Sequence, residues 1–176
     1  MTALSEWSHL TTEIGDRPLA RERVATADER IELARELDIL SCERLAVSYT
    51  IAPLGSGRFR FSGTLEAALA QACVVSLAPV PAEISESFSV ELAPAETLAA
   101  EEPFAGDQEV LSLPDIEPIE DGRIEVGTLV FAILSSALEP YPRAPDVAFE
   151  WVDPKIAADP DAASPFAALA KLKPKS

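Results

Sequence analysis

Cys73, Cys42 and His9 are the side chains of this 176-residue sequence with reactive chemistry of their own, and each stands apart from the others along the chain. Cys73-Val74-Val75-Ser76 has the spacing of half a zinc knuckle, with serine where a second thiolate would stand. A serine hydroxyl is a poor zinc ligand and one thiolate makes no site. Cys73 is therefore expected to be a small buried residue on the inward face of a strand. His9 is the only histidine and lies in the N-terminal stretch, so a Cys–His pair is not expected. No glycine-rich phosphate cradle follows a strand and opens a helix. Carboxylate pairs abound, but acid-rich stretches generate them by chance, and none is singled out as an acid–base dyad. The expectation is no catalytic residue, no metal, no cofactor and no enzyme; a thiol enzyme built on Cys73 is the third-ranked reading.

Recognition chemistry is better represented. Arg58 and Arg60 project from one face of a strand and suit an anion, although pairing with nearby acids is the preferred reading. Pro140-Tyr141-Pro142-Arg143 is a stiff turn carrying a ring and a guanidinium. Its preferred reading is structural, with the prolines stopping a helix and Tyr141 packing the helix base; recognition of a flat partner is the alternative. Phe166, Lys171 and Lys173 lie on a final helix with Ser164 as its cap and Pro165 at its first position. These seven residues (Arg58, Arg60, Tyr141, Arg143, Phe166, Lys171 and Lys173) form the candidate binding surface.

Residues of those kinds need a scaffold, and the alternation from Phe59 to Leu77 supplies one. Odd positions run Phe59, Phe61, Gly63, Leu65, Ala67, Leu69, Gln71, Cys73, Val75 and Leu77, while the even positions begin Arg58, Arg60, Ser62, Thr64 and Glu66. A period of two over this length is strand, because a helix would scatter these side chains around its axis. Leu45, Val47, Tyr49 and Ile51 mark a strand before it, and Gly55-Ser56-Gly57 is the turn between them. Ile84, Phe88, Val90 and Leu92 mark a third strand, about Glu83 to Ala93. The first strand is expected to pair with the front of the second and the third with its rear, with a bend or bulge at Gly63.

Thr26-Ala27-Asp28-Glu29 is a capping box opening a helix to about Asp38, with Ile31, Ala34 and Leu37 as its buried stripe, widened by Leu33 and Leu40. Glu125 to Leu138 reads as the most apolar helix. The fold class is α+β: an antiparallel β meander with a long bent central strand, packed by helices, with an acidic loop and a C-terminal helix. The expected organisation is an N-terminal extension over 1–25 and a single α+β domain over 26–153. A flexible acidic loop at 94–121 interrupts that domain, with a short strand at Val110–Leu113 inside it. A linker and C-terminal basic helix occupy 154–176.

The charge balance limits the partners. Thirty acids against 14 bases give a net charge of −16, and the stretch from Glu83 to Glu125 carries 13 acids and one base, Arg123. Such a surface repels bare phosphate backbones, whose binding rests on neutralisation by Lys and Arg. Two cysteines make no disulfide framework, and the chain has no apolar stretch near the length of a membrane span and no charged-then-apolar leader. A reducing cytoplasm is the expected location, with no membrane partner.

Several ordered stretches carry a resemblance. Ala27-Asp28-Glu29-Arg30 opens the first helix, and Gly63-Thr64-Leu65-Glu66-Ala67 leads into Gln71-Ala72-Cys73-Val74-Val75-Ser76-Leu77-Ala78-Pro79-Val80, followed by Phe88-Ser89-Val90. Asp121-Gly122-Arg123-Ile124-Glu125-Val126-Gly127 precedes a helix ending Ala137-Leu138-Glu139-Pro140-Tyr141-Pro142-Arg143, and the chain closes with Ser164-Pro165-Phe166-Ala167-Ala168-Leu169-Ala170-Lys171-Leu172-Lys173. Over roughly residues 26 to 173 this resembles the YceD family of large ribosomal RNA subunit accumulation proteins, and most closely its alphaproteobacterial branch. The resemblance implies a non-enzymatic bacterial factor for 23S rRNA accumulation or processing and large-subunit assembly. Its partner would be a ribosomal protein, with bL32 a candidate because relatives are commonly encoded beside it, or a large-subunit precursor. Direct rRNA binding through Arg58, Arg60, Arg143 and the terminal lysines is the alternative. Many relatives carry Cys-x-x-Cys where this chain has Cys73 and Ser76, so metal binding does not carry over.

Overall fold

The computed structural model describes residues 3–100 and 116–148, with 99 and 100 by backbone alone. The chain divides after Ala144, and of the second unit only residues 145–148 are described. The Val110–Leu113 strand, the linker after Trp151 and the Ser164 helix with Phe166, Lys171 and Lys173 fall outside the described residues.

In the first unit, β1 (His9–Leu10), α1 (Thr11–Ile14), β2 (Leu19–Val24) and α2 (Ala27–Glu36) precede the three long strands β3 (Ser41–Gly55), β4 (Arg58–Ala72) and β5 (Pro79–Pro94). They are followed by α3 (Ala95–Ala100), β6 (Ile116–Ile119), β7 (Arg123–Ile124) and α4 (Val126–Ala137). The main sheet has the order β2-β3-β4-β5-β6, antiparallel except for the parallel β5–β6 edge, and β1 pairs with β7 in a separate two-stranded sheet. This is the α+β meander packed by helices that the alternation implies.

Both neighbours pair with almost the whole of β4. β3 runs from Gly55↔Arg58 to Ser41↔Ala70, and β5 from Leu92↔Phe59 to Pro79↔Ala72. The expected division of β4 into a front and a rear half is therefore corrected: β3 begins three residues before Arg44, and β5 starts four before Glu83. At about 3.4 Å per residue the central strand is about 50 Å long. Gly63 carries no bulge, since the register shifts lie at Cys42/Arg44 and Pro53/Gly55. A Cβ at Gly63 would stand 2.8 Å from Tyr49 Cα, so the residue permits a close approach of β3. The rings of Tyr49, Phe61 and Phe88 close over the gap, at 5.4 and 4.8 Å between successive centroids.

One sheet face is buried. Leu45, Val47, Tyr49 and Ile51 of β3, with Phe59, Phe61, Leu65, Ala67 and Leu69 of β4, join Leu33 of α2 and Val126, Val130 and Leu134 of α4 in a single cluster. The opposite face is short and hydroxylated: Ser48–Thr64–Ser87 and Thr50–Ser62–Ser89 form rows across three strands, with the Arg44–Glu66 and Arg60–Glu91 ion pairs beyond them.

Thr26 and Glu29 form the expected capping box on α2, each side chain bonded to the other's backbone amide. The buried stripe differs from the periodicity. Leu33 and Ala34 are buried, whereas Ile31 is 70% exposed and Leu40 52%. α2 ends at Glu36, so Leu40 is on the connection to β3 rather than on another helical turn. α4 follows its pattern and starts one residue later than expected. No helix among the described residues is long and apolar enough to cross a membrane.

The N-terminal extension expected over 1–25 is also corrected, because it is built into the sheet and the core. β2 pairs with β3 from Leu19↔Ile51 to Val24↔Ala46, and Leu4, Trp7 and Ile14 are buried. Trp7 donates its indole N–H to Glu29 at 2.8 Å and accepts from the Gly127 amide at 2.8 Å, while the Ala3 amide reaches Glu36 at 3.0 Å. The segment thus ties α2 to α4. The acidic loop expected at 94–121 holds the end of β5, α3 and the parallel strand β6; residues 101–115 lie outside the described set.

Gly127 marks where that tie is closest. A Cβ there would overlap the Leu4 carbonyl and stand 2.8 Å from Leu4 Cβ. Alanine improves intrinsic helix propensity by about 1 kcal/mol, but forcing volume into a packed contact costs about 1–3 kcal/mol. Gly127→Ala is therefore expected to lower stability in urea unfolding through crowding, whereas Gly15→Ala, where no atom crowds the added Cβ, should cost about 1–3 kcal/mol through a backbone conformation (φ 60°, ψ −140°) that is nearly restricted to glycine.

Candidate functional site: a clamped pair of loops

The connection from β4 to β5 and the turn after α4 meet at one end of the sheet. β4 stops at Ala72, so Cys73 opens the connection and does not lie in the sheet. Cys73 is fully buried, as expected, but it does not belong to the hydrophobic cluster of the core. Its sulfur accepts the Ala144 amide at 3.3 Å and the Ser76 amide at 3.5 Å. Its backbone closes the loop on itself, with the Cys73 amide on Ala78 O and the Leu77 amide on Cys73 O, both at 2.9 Å. Two further bonds tie the loops together: the Val74 amide to Pro142 O, and Gln71 Nε2 to Glu139 O, each 2.9 Å.

The sulfur is thus a hydrogen-bond hub. The Ala144 amide, then the Ser76 hydroxyl and amide and the Val75 amide, hold the Cys73 thiol down at about 6. Burial of the sulfur opposes this. N–H groups aimed at one atom favour its anionic form, so the hydrogen-bonded surroundings of Cys73 lower its pKa toward the thiolate. Cys42 differs: burial pushes its thiol up, against a partial offset from Arg30.

Rigid backbone at this place presents exposed side chains. Pro142 is the buried residue of the turn, and Tyr141 is 73% exposed. The expected packing of Tyr141 under the helix is therefore corrected: the proline fills the base and the ring faces out. Arg143 beside it is exposed. On the facing loop Val74 is 47% exposed and Leu77 is 75% exposed, with Leu77 at a φ of 60°. A branched apolar side chain in the left-handed region costs about 1–2 kcal/mol, and this one recovers almost nothing by burial.

The remaining predicted residues are dispersed. Arg60 pairs with Glu91 at 2.9 Å, and Arg58 is likewise engaged within the protein. Neither is brought to the loop pair by any described contact. His9 is held in β1 with its Nε2 2.8 Å from Tyr49 Oη, on the core side of the sheet. Burial, then Arg21 and Arg23, lower its pKa, and burial raises that of Tyr49. Among the described residues no three of His, Cys, Asp and Glu gather as a metal-binding group. Sequence reasoning missed Leu77 and Val74: they continue the alternation and read as strand, and only the end of pairing at Ala72 turns them outward.

Thiolate absorbance followed against pH should resolve two steps, Cys73 near pH 6 and Cys42 above 9. Because the folded Cys73 pKa lies below its ordinary value of 9.0, the thiolate's contribution to stability is present above that value. It is lost as pH falls through about 6. Cys73→Ser should flatten that part of the melting-temperature profile. His9 acts in the same sense below 6.5, its depressed pKa making protonation unfavourable to the fold, and His9→Gln separates the two.

No protein-family model, curated protein or solved structure matches the chain.

Proposed function

We propose that this protein is a non-enzymatic cytoplasmic factor for 23S rRNA accumulation and large-subunit assembly that acts by binding a ribosomal protein or a pre-ribosomal particle. The ribosomal part of the reading rests on the ordered resemblance across residues 26 to 173. The observation that carries the binding part is the loop pair, where a hydrogen-bonded backbone holds Tyr141, Arg143, Val74 and Leu77 out to solvent. Aromatic side chains lose little entropy on association, and aromatic and arginine side chains dominate interface energies. A net charge of −16 favours a basic protein partner over naked RNA. The cations that direct rRNA contact would need are depleted, because Arg60 is committed to Glu91 and Arg58 is engaged.

Affinity capture from a bacterial lysate, with and without RNase, tests this. The chain is expected to retain ribosomal protein in both conditions and large-subunit precursor without RNase; capture of no ribosomal component overturns the reading. Tyr141→Ala with Arg143→Ala should weaken capture by on the order of 2 kcal/mol, about thirtyfold. Their exposure keeps the stability change within about 0.5 kcal/mol. Leu77→Gly should separate the two properties most cleanly. It relieves the left-handed backbone and is expected to raise stability by up to about 1 kcal/mol, while capture falls.

A further inference from the structure

A second surface lies at the other end of the sheet, where the edge strand β6, the short strand β7 and the start of α4 enclose a pocket of about 280 Å³. Its floor is apolar, with Leu92, Ile119 and Ile124 all nearly inaccessible to solvent. Its walls carry Glu117, Glu120 and Glu125. One cation, Arg123, reaches it and is already committed, with Nη1 on Ser8 Oγ at 3.0 Å and Nε 3.6 Å from Glu125. Glu117 and Glu120 are exposed, and neither forms a salt bridge with a described residue.

Pockets for small molecules run from about 300 to 1,000 Å³. This one lies just below that range and matches a single long side chain. An apolar floor beneath a carboxylate rim is complementary to a side chain with an aliphatic stem and a cationic head. We propose that this pocket receives a lysine or arginine from a basic, extended segment of a partner protein, an inference that rests on reading the chain as a binder of a basic ribosomal protein. The stem lies on Leu92, Ile119 and Ile124, and the head meets Glu117 and Glu120. The end of α4 carries about half a positive charge, which the three carboxylates of the pocket outweigh even after Arg123 offsets one of them. A phosphate group meets three carboxylates here and is repelled. The larger cavity beside α2, about 470 Å³, has Arg30 and Arg35 as its only charged walls and offers a basic segment no such match.

The probe is a fluorescent, flexible peptide alternating lysine or arginine with glycine, titrated into the full chain across a salt series. Wild type is expected to bind it with an affinity that falls as salt rises. Glu117→Gln with Glu120→Gln should weaken binding about tenfold. Thr128→Lys, an exposed pocket position, should do the same by supplying the cation internally. Glu83→Gln with Glu86→Gln removes equal charge about 20–30 Å away along β5 and should change affinity less than about twofold. Equal weakening by the two double variants, or none by the pocket pair, overturns the proposal. So does binding of a single-stranded RNA oligonucleotide that the pocket pair abolishes. Lysate capture of ribosomal components distinguishes the failures: retained capture with an inert pocket sinks only the pocket, and a working pocket with no ribosomal capture sinks the assembly reading.

Discussion

The rest of this structure depends on β4 being paired along nearly its whole length on both sides. A strand with two full partners has no free edge to satisfy and no freedom to slip, because a shift of one residue would turn Phe61, Leu65 and Leu69 to water and Ser62 and Thr64 into the core. That constraint fixes which face must be covered. α4, α2 and the N-terminal turn through Leu4 and Trp7 share the work, and none covers it alone. The N-terminal turn is consequently as much a part of the core as the helices are. Its indole, the Ala3 amide and the Trp7 carbonyl bridge Glu29, Glu36 and the Gly127 amide across elements that do not otherwise need to meet.

The same constraint explains why the loop pair is rigid. Three long strands ending together leave Ala72 and Pro79 as the last paired residues, and the six residues between them have no ladder to join. Their amides still require partners. Cys73 supplies a sulfur that accepts several N–H groups, and the turn after α4 supplies the Pro142 carbonyl and the Ala144 amide. A second thiolate at Ser76 would add charge beside the first; the hydroxyl instead donates to it and lowers its pKa. The half-knuckle is thereby a self-satisfied anion site whose acceptor is the protein's own sulfur.

The long strands, the capping box and the apolar helix were legible because each is written in local periodicity or in a short local motif. The places where reading stopped short share one cause: tertiary partners distant in sequence. Trp7 and Leu4 look like a sparse tail until Gly127, more than a hundred residues on, admits them. Ile31 fits the helical stripe but loses its place because Leu33 and Ala34 already fill the contact with the sheet. Leu77 keeps the parity of a strand and yet turns at φ 60°, since nothing local announces that pairing ends at Ala72. Of the candidate site, Tyr141 and Arg143 were visible from the proline-bracketed turn; that Pro142, not Tyr141, fills the base depends on the Val74 amide reaching its carbonyl.

Charge settles how these surfaces can be used together. The protein is strongly acidic, and four of its ten described arginines pair with carboxylates: Arg35 with Glu32, Arg44 with Glu66, Arg60 with Glu91, and Arg123 with Glu125. Exposed pairs of this kind add little stability, of order 0–1 kcal/mol each. Their larger effect is to neutralise those four guanidinium groups locally, while Glu117 and Glu120 form no salt bridge with a described residue. On the proposed binding function, long-range attraction would select a basic partner, and the apolar and aromatic residues of the clamped loops would supply the short-range energy that charge alone does not. The two surfaces lie at opposite ends of the sheet, so a partner contacting both would have to span a distance comparable with the length of β4.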